Sequence, residues 1–220
     1  MLAEVVQTQW ASAGAPLEED GLPNDTPYAA LRERFRSNLT HIVEEATRRG
    51  IDVYVIPTPP HLTHPPFSTS HDPRVATGTR KSIERTIVAG HLSLANQEAE
   101  DTLSKAQSAL AKDRVHAPSL HLEGMALGAL ERREEALSAL EQALLWDTSR
   151  KRTLPAYGRI ALEVCAEHGC AAGDAHLDLL ERAREAGLSE YDRMLGDHEH
   201  LNPEGNAWVA GLFAALILED

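Results

Sequence analysis

Two twelve-residue stretches near the middle of this chain carry one pattern written twice. Residues 102–113 read TLSKAQSALAKD and residues 136–147 read ALSALEQALLWD, an offset of 34. Five positions coincide: Leu103 with Leu137, Ser104 with Ser138, Ala109 with Ala143, Leu110 with Leu144, and Asp113 with Asp147. Self-similarity at a fixed interval of this size marks a supersecondary unit stacked on a copy of itself. Between and within the copies, Leu120, Gly124, Leu127, Ala136, Leu140 and Ala143 place small and large apolar residues in turn. The small ones, Gly124, Ala136 and Ala143, permit a close approach of two antiparallel helices. The centre of the chain is therefore predicted to be helical hairpins.

An interval of 34 with this distribution resembles the tetratricopeptide repeat, of which residues 85–153 hold about one and a half units. Such arrays usually need about three units to be stable alone, so this segment is expected to lean on what flanks it. A generic helical hairpin is the plainer alternative, and the matched interval favours the repeat.

The flanks have a different rhythm. Residues 1–25 are rich in Gly, Pro and acidic residues and read as irregular. Thr26 and Pro27 are suited to a helix start. Tyr28, Leu31, Phe35, Leu39, Ile42, Val43 and Ala46 then recur at steps of three and four, one apolar stripe of a helix. Arg48 and Arg49 suit its C-terminal end and Gly50 stops it. Residues 51–56, Ile-Asp-Val-Tyr-Val-Ile, form a short β-branched run of the kind buried in parallel sheets, ended by Pro57, Pro59 and Pro60. Helix, glycine, strand and loop are half of an α/β unit, and the loop after such a strand faces the ligand crevice. That loop, residues 57–80, holds His61, His64 and His71; without matched partners they read as solvated.

After Pro155 the α/β pattern returns. Residues 156–168 read as a helix with Ile160, Ala161 and Val164 inward, ended by Gly169. Residues 170–174 read as a weak strand, and Leu177, Leu179, Leu180 and Ala183 mark a short helix. The chain closes with a polar stretch at 196–201 and a helix that Asn202 caps and Pro203 starts. The organisation expected is an N-terminal segment at 1–25, a first α/β segment at 26–84, the helical insertion at 85–153 and a C-terminal α/β segment at 154–220.

Composition narrows the function. With 21 Lys+Arg against 34 Asp+Glu, the formal net charge is −13, which repels phosphate backbones and excludes general nucleic-acid binding. The short basic run Arg150, Lys151, Arg152 reads as a solvated helix end. No basic flank with an apolar run opens the chain, and the apolar run at 207–218 is too short to span a bilayer. Cys165 and Cys170 read as ordinary thiols on or near a helix. Trp10, Trp146 and Trp208 read as packing residues.

Chemistry concentrates in residues 197–206, Asp-His-Glu-His-Leu-Asn-Pro-Glu-Gly-Asn. A carboxylate three residues before a histidine, on a loop feeding a helix, can accept a bond from one imidazole nitrogen. That fixes the tautomer and leaves the other nitrogen to act as a base toward a serine hydroxyl. Asp197 and His200 are the candidate pair. The Asp-x-x-His block, with Gly205 and a terminal apolar helix, resembles the end of SGNH/GDSL hydrolases. The segments 35–43 (Phe-Arg-Ser-Asn-Leu-Thr-His-Ile-Val) and 65–71 (Pro-Pro-Phe-Ser-Thr-Ser-His) resemble a bacterial subgroup with tetratricopeptide repeats inserted in the domain.

The resemblance implies an incomplete flavodoxin-like three-layer α/β fold with a parallel sheet and a helical insertion. It implies His200 as general base, Asp197 as its orienting partner, and no cofactor or metal. It also implies, as substrates of the intact family, ester-bearing small molecules or acylated glycans. His198 and Glu199 match variable positions. The family's Gly-Asp-Ser block and its oxyanion glycine and asparagine have no counterpart. Gly173-Asp174-Ala175 has alanine in place of serine, and Ser68 and Ser70 lack the family's context. The expectation is a C-terminal portion of an ester hydrolase, inactive alone. The plainest alternative, that Asp197 caps a turn and His200 is a satisfied loop histidine, is set aside on the flanking resemblance. Two others stand beside the expectation. One is an interaction module that takes a protein partner in a groove lined from Leu120 to Leu140. The other is a metal site of Asp197, His198, Glu199 and His200 with the loop histidines, though these match no helical zinc motif.

Overall fold

Apolar residues at helical spacing dominate the chain, and helices dominate the result. The computed structural model describes residues 26–68, 71–149, 151–198 and 200–219, and most of the described residues are helical. The elements in order are α1 (Thr26–Arg48), β1 (Tyr54–Val55), α2 (Thr77–Ala95), α3 (Ala99–Leu110), α4 (Ala117–Ala129) and α5 (Arg133–Trp146). There follow α6 (Ala156–His168), β2 (Ala171–Ala172), α7 (Ala175–Ala186), α8 (Leu188–Arg193) and α9 (Pro203–Glu219).

The three-layer parallel sheet is overturned. Among the described residues the only sheet has two strands of two residues, parallel, with Tyr54 opposite Ala171 and Val55 opposite Ala172. The β-branched run at 51–56 meets a partner of small alanines with poor strand propensity. Proline at 57, 59 and 60 removes donors just beyond it, so the ladder stops after two residues. Val53 and Val55 pack against Leu39 and Val43 of α1 and Ile160, Ala161 and Val164 of α6, where Phe35 also stacks on Tyr157. Strand alternation turns Ile56 the other way, toward Gly173 and Leu216 of α9.

The middle forms two consecutive hairpins, α2 with α3 and α4 with α5, and α3 also packs on α4. The helices α3 and α5 begin at Ala99 and Arg133, the interval that separates the matched sequences. The turns before them contain Gln97 and Glu131, matched at the same interval, with φ of 64° and 59°. A β-carbon on Gly124 would lie 2.6 Å from Leu140 Cγ and 3.0 Å from the Ala136 carbonyl, which is why the α4–α5 seam closes so tightly. Leu120, Leu127, Ala136 and Leu140 are all buried, so the residues assigned to an open groove line the interior.

The largest core cluster joins α5 to the C-terminal segment. Leu137, Leu140 and Leu144 meet Leu62 of the loop, Leu179 and Leu180 of α7, and Tyr191, Met194 and Leu195. Beside it His176 is buried between the Tyr191 hydroxyl at 2.8 Å and Glu141 at 3.0 Å. Burial pushes the Tyr191 phenol well above its ordinary value.

Two sequence readings are corrected here. Cys165 and Cys170 are joined by a disulfide: Gly169, with φ of 75°, ends α6 and turns the chain back on its last turn. Arg152 is buried, not solvated. Trp146 is buried, and Trp208 donates to Asp178 at 2.8 Å with Arg182 over its ring. Trp10, Ser70, Arg150, Glu199 and the segment 1–25 lie outside the described residues. Among the described residues no helix is long and apolar enough to cross a membrane.

Candidate active site

The segment between α8 and α9 is a tight loop closed by an antiparallel bridge between Leu195 and Leu201. Gly196 donates its N–H to the His200 carbonyl at 2.8 Å, and Asn202 donates to the Met194 carbonyl at 3.2 Å. Asn202 then caps α9, its Oδ1 accepting the Gly205 N–H at 2.9 Å, while its amide donates to the Arg193 carbonyl at 2.7 Å. Gly205 is buried, and a β-carbon there would sit 2.0 Å from the Met194 carbonyl oxygen. The glycine of the sequence block is thus needed for helix and loop to touch.

On this loop Asp197 and His200 face each other. The two carboxylate oxygens lie 3.0 and 2.9 Å from His200 Nδ1, and Oδ1 also accepts the His200 backbone N–H at 2.8 Å. The contact holds the imidazole with Nδ1 toward the carboxylate, so a base would act through Nε2. Both side chains are more than half exposed, 73% for His200 and 51% for Asp197.

The loop after β1 supports the pair from below. His61 places Nδ1 2.6 Å from the Asp197 carbonyl oxygen and Nε2 3.3 Å from Asp192 Oδ1, which also accepts the Thr63 hydroxyl. Arg152 in turn donates to the carbonyls of His61 and His64, both at 2.8 Å, and to Asp147 Oδ2 at 3.0 Å. Asp147 also accepts the Phe67 N–H at 2.9 Å. Burial pulls the Arg152 pKa down, and Asp147 opposes that. A buried ion pair of this kind fixes the backbone it binds more surely than it adds stability.

His198 lies against the rings of His64 and Phe67, with centroids 5.4 and 4.8 Å away. Burial, with Arg152, His61 and His198 nearby, holds His64 below the usual imidazole range, against the bond its Nδ1 makes to the Pro65 carbonyl. The loop histidines are therefore tied in, not solvated: His61 and His71 side chains are only 14% and 10% exposed.

Asp197 and His200 were readable from their spacing; His61, Asp192, Thr63 and Arg152 were not singled out as site residues. Asp147 did carry a signal, since it matches Asp113 in the repeat, and both aspartates are buried. Ser68 shares a hydrogen bond with the Thr148 hydroxyl. Among the described residues the donors around 197–200 do not converge with the loop histidines as a metal-binding group; the one such group joins His71, from the far end of the loop, to Glu84 and His116. Comparison of the chain with protein-family models, curated proteins and solved structures gave no match.

Proposed function

We propose that this chain carries the acid–base half of a Ser–His–Asp ester hydrolase of the SGNH/GDSL type, with the nucleophilic serine supplied by a different polypeptide segment. The observation that carries the reading is the paired contact of both Asp197 oxygens with His200 Nδ1, on a loop braced by His61 and by the cap of α9. In the reaction His200 Nε2 takes the serine proton as the hydroxyl oxygen attacks the ester carbonyl. Asp197 stabilises the imidazolium, and His200 returns the proton to the departing alcohol. The exposed position of His200 suits a base that meets a serine brought from outside. The apolar α9, which starts three residues after His200, leaves Ile217 and Leu218 largely exposed, a surface such a segment could cover.

Two measurements test the two parts of the reading. Nitrogen-15 NMR of the imidazoles in mildly alkaline buffer should show His200 as the Nδ1–H tautomer, changed by Asp197→Asn; a His200 in the Nε2–H form would overturn the pair. Turnover of a short-chain nitrophenyl ester should be at background for the wild type and for His200→Ala, with no fluorophosphonate adduct. Turnover lost in His200→Ala, with an adduct on a serine of this chain, would overturn the separate nucleophile.

A further inference from the structure

A second cluster of imidazole and carboxylate groups lies away from the Asp197–His200 loop, where the end of the long loop meets α2 and the start of α4. His71 comes from the loop, Glu84 from α2, and His116 is the residue preceding α4. One donor atom from each lies within 4.8 Å of the others. We propose that His71, Glu84 and His116 bind one divalent transition-metal ion of the zinc class.

The hydrogen bonds around the rings carry this assignment. His71 Nδ1 lies 3.0 Å from Asp113 Oδ2, and its Nε2 lies 2.9 Å from Glu84 Oε1. His116 Nδ1 lies 2.7 Å from the Ser119 hydroxyl. In each ring an oxygen engages Nδ1 while Nε2 is directed at the same carboxylate oxygen. Metal-binding histidines are oriented in this way, one nitrogen held by a carboxylate or other oxygen and the other turned to the ion.

His116 supplies the second observation. Its side chain is fully buried, and its Nε2 has no hydrogen-bond partner, although Glu84 Oε1 is 3.4 Å away. A buried polar nitrogen left unpaired is destabilising, and an ion between the two groups would satisfy it. The imidazoles are stacked, with centroids 4.5 Å apart and planes 6° apart, which brings both to one side of Glu84. Asp113, itself buried, has one oxygen on His71 and accepts the Asp72 N–H at 3.2 Å with the same oxygen.

Two neutral imidazoles and one carboxylate favour zinc or a neighbouring transition ion over calcium or magnesium, which take oxygen ligands. Three protein ligands leave one position of a tetrahedron to water. Glu84 is 43% exposed, so the ion would enter from its side. A tetrahedral zinc site sets its donor atoms roughly 3.3 Å apart, and the distances from Glu84 Oε1 to the two Nε2 atoms, 2.9 and 3.4 Å, already straddle that spacing.

The test uses the full chain, stripped with EDTA and titrated with zinc by calorimetry, and with cobalt followed by visible absorption. One equivalent should bind to the wild type, and cobalt should give the intense absorption of a four-coordinate site. Glu84→Gln, on an exposed part of α2, should weaken binding by at least about tenfold with an unchanged circular dichroism spectrum, while His200→Ala should bind as the wild type does. Absence of stoichiometric binding to the wild type would overturn the proposal. So would equal binding by Glu84→Gln, loss of binding in His200→Ala, or a cobalt spectrum of six-coordinate type. The ester-hydrolase reading shares no residue with this site, so an absence of metal binding, or equal binding by Glu84→Gln, overturns this proposal and leaves that reading untouched.

Discussion

At Gly205 a single hydrogen atom separates a helix from a loop. The β-carbon of an alanine there would lie 2.0 Å from the Met194 carbonyl oxygen and 3.1 Å from Leu201 Cδ2. The first contact is backbone and cannot rotate away. Gly205→Ala must therefore push α9 off the loop and stretch the Asn202 cap. We expect a loss of about 1–3 kcal/mol in urea unfolding, the usual result of overpacking, together with loss of the Nδ1–H tautomer at His200. A variant as stable as the wild type would mean that the loop yields freely. The sequence made Asp197, His200, Asn202 and Gly205 legible because all four belong to one short local block. His61 and Asp192 were illegible because their meaning comes from residues far away in the chain. Arg152 was misread for the same reason: a basic run looks solvated until the carbonyls of His61 and His64, far off in the chain, are known to accept from it.

Among the elements, α6 is held at its C-terminus in two ways, by the left-handed turn at Gly169 and by the Cys165–Cys170 disulfide. The bridge also anchors the start of β2. In the chain-entropy account, closing so short a loop stabilises by about 2 kcal/mol. Reducing agent should lower the urea midpoint accordingly, and the double variant Cys165→Ala/Cys170→Ala should match the reduced wild type. Coincident curves with and without reductant would remove the bridge from the stability argument. Helix positions were legible here from apolar residues at steps of three and four, as in α1 and α6. The pairing of the cysteines was not, because it depends on the turn at Gly169 folding Cys170 back. Strand count was misjudged because a β-branched run such as 51–56 specifies a strand but says nothing of how many partners it finds.

For the molecule as a whole, His121 of α4 links the hairpins to the loop below the site. It is buried, and its Nε2 lies 2.7 Å from the Thr63 carbonyl oxygen. Burial pushes its pKa down from 6.5 to about 4; the bond to Thr63 opposes this, and Arg152, His91 and His64 add to it. The unfolded chain therefore binds a proton near pH 6.5 that the folded chain refuses until about pH 4. The resulting stability is whole above pH 6.5 and is lost as the pH falls toward 4, at up to about 1.4 kcal/mol per pH unit. His121→Gln, which keeps a donor for Thr63, should flatten the decline in urea midpoint over this range. An equally steep decline in the variant would assign the acid sensitivity to other groups.

The parallel pairing of β1 with β2 has a kinetic side. Its partners, Tyr54 and Ala171, lie at the two ends of the hairpin segment, and so do α1 and α6, which pack together. Joining such distant stretches directly from a loose chain carries a loop-closure penalty, whereas α4 and α5 meet through a turn of a few residues. Once the hairpins have formed, they shorten the path between residues 56 and 171 from a slack coil to the width of a few helices. Chain topology therefore favours assembly from the middle outward, with β1 and β2 pairing across hairpins already in place.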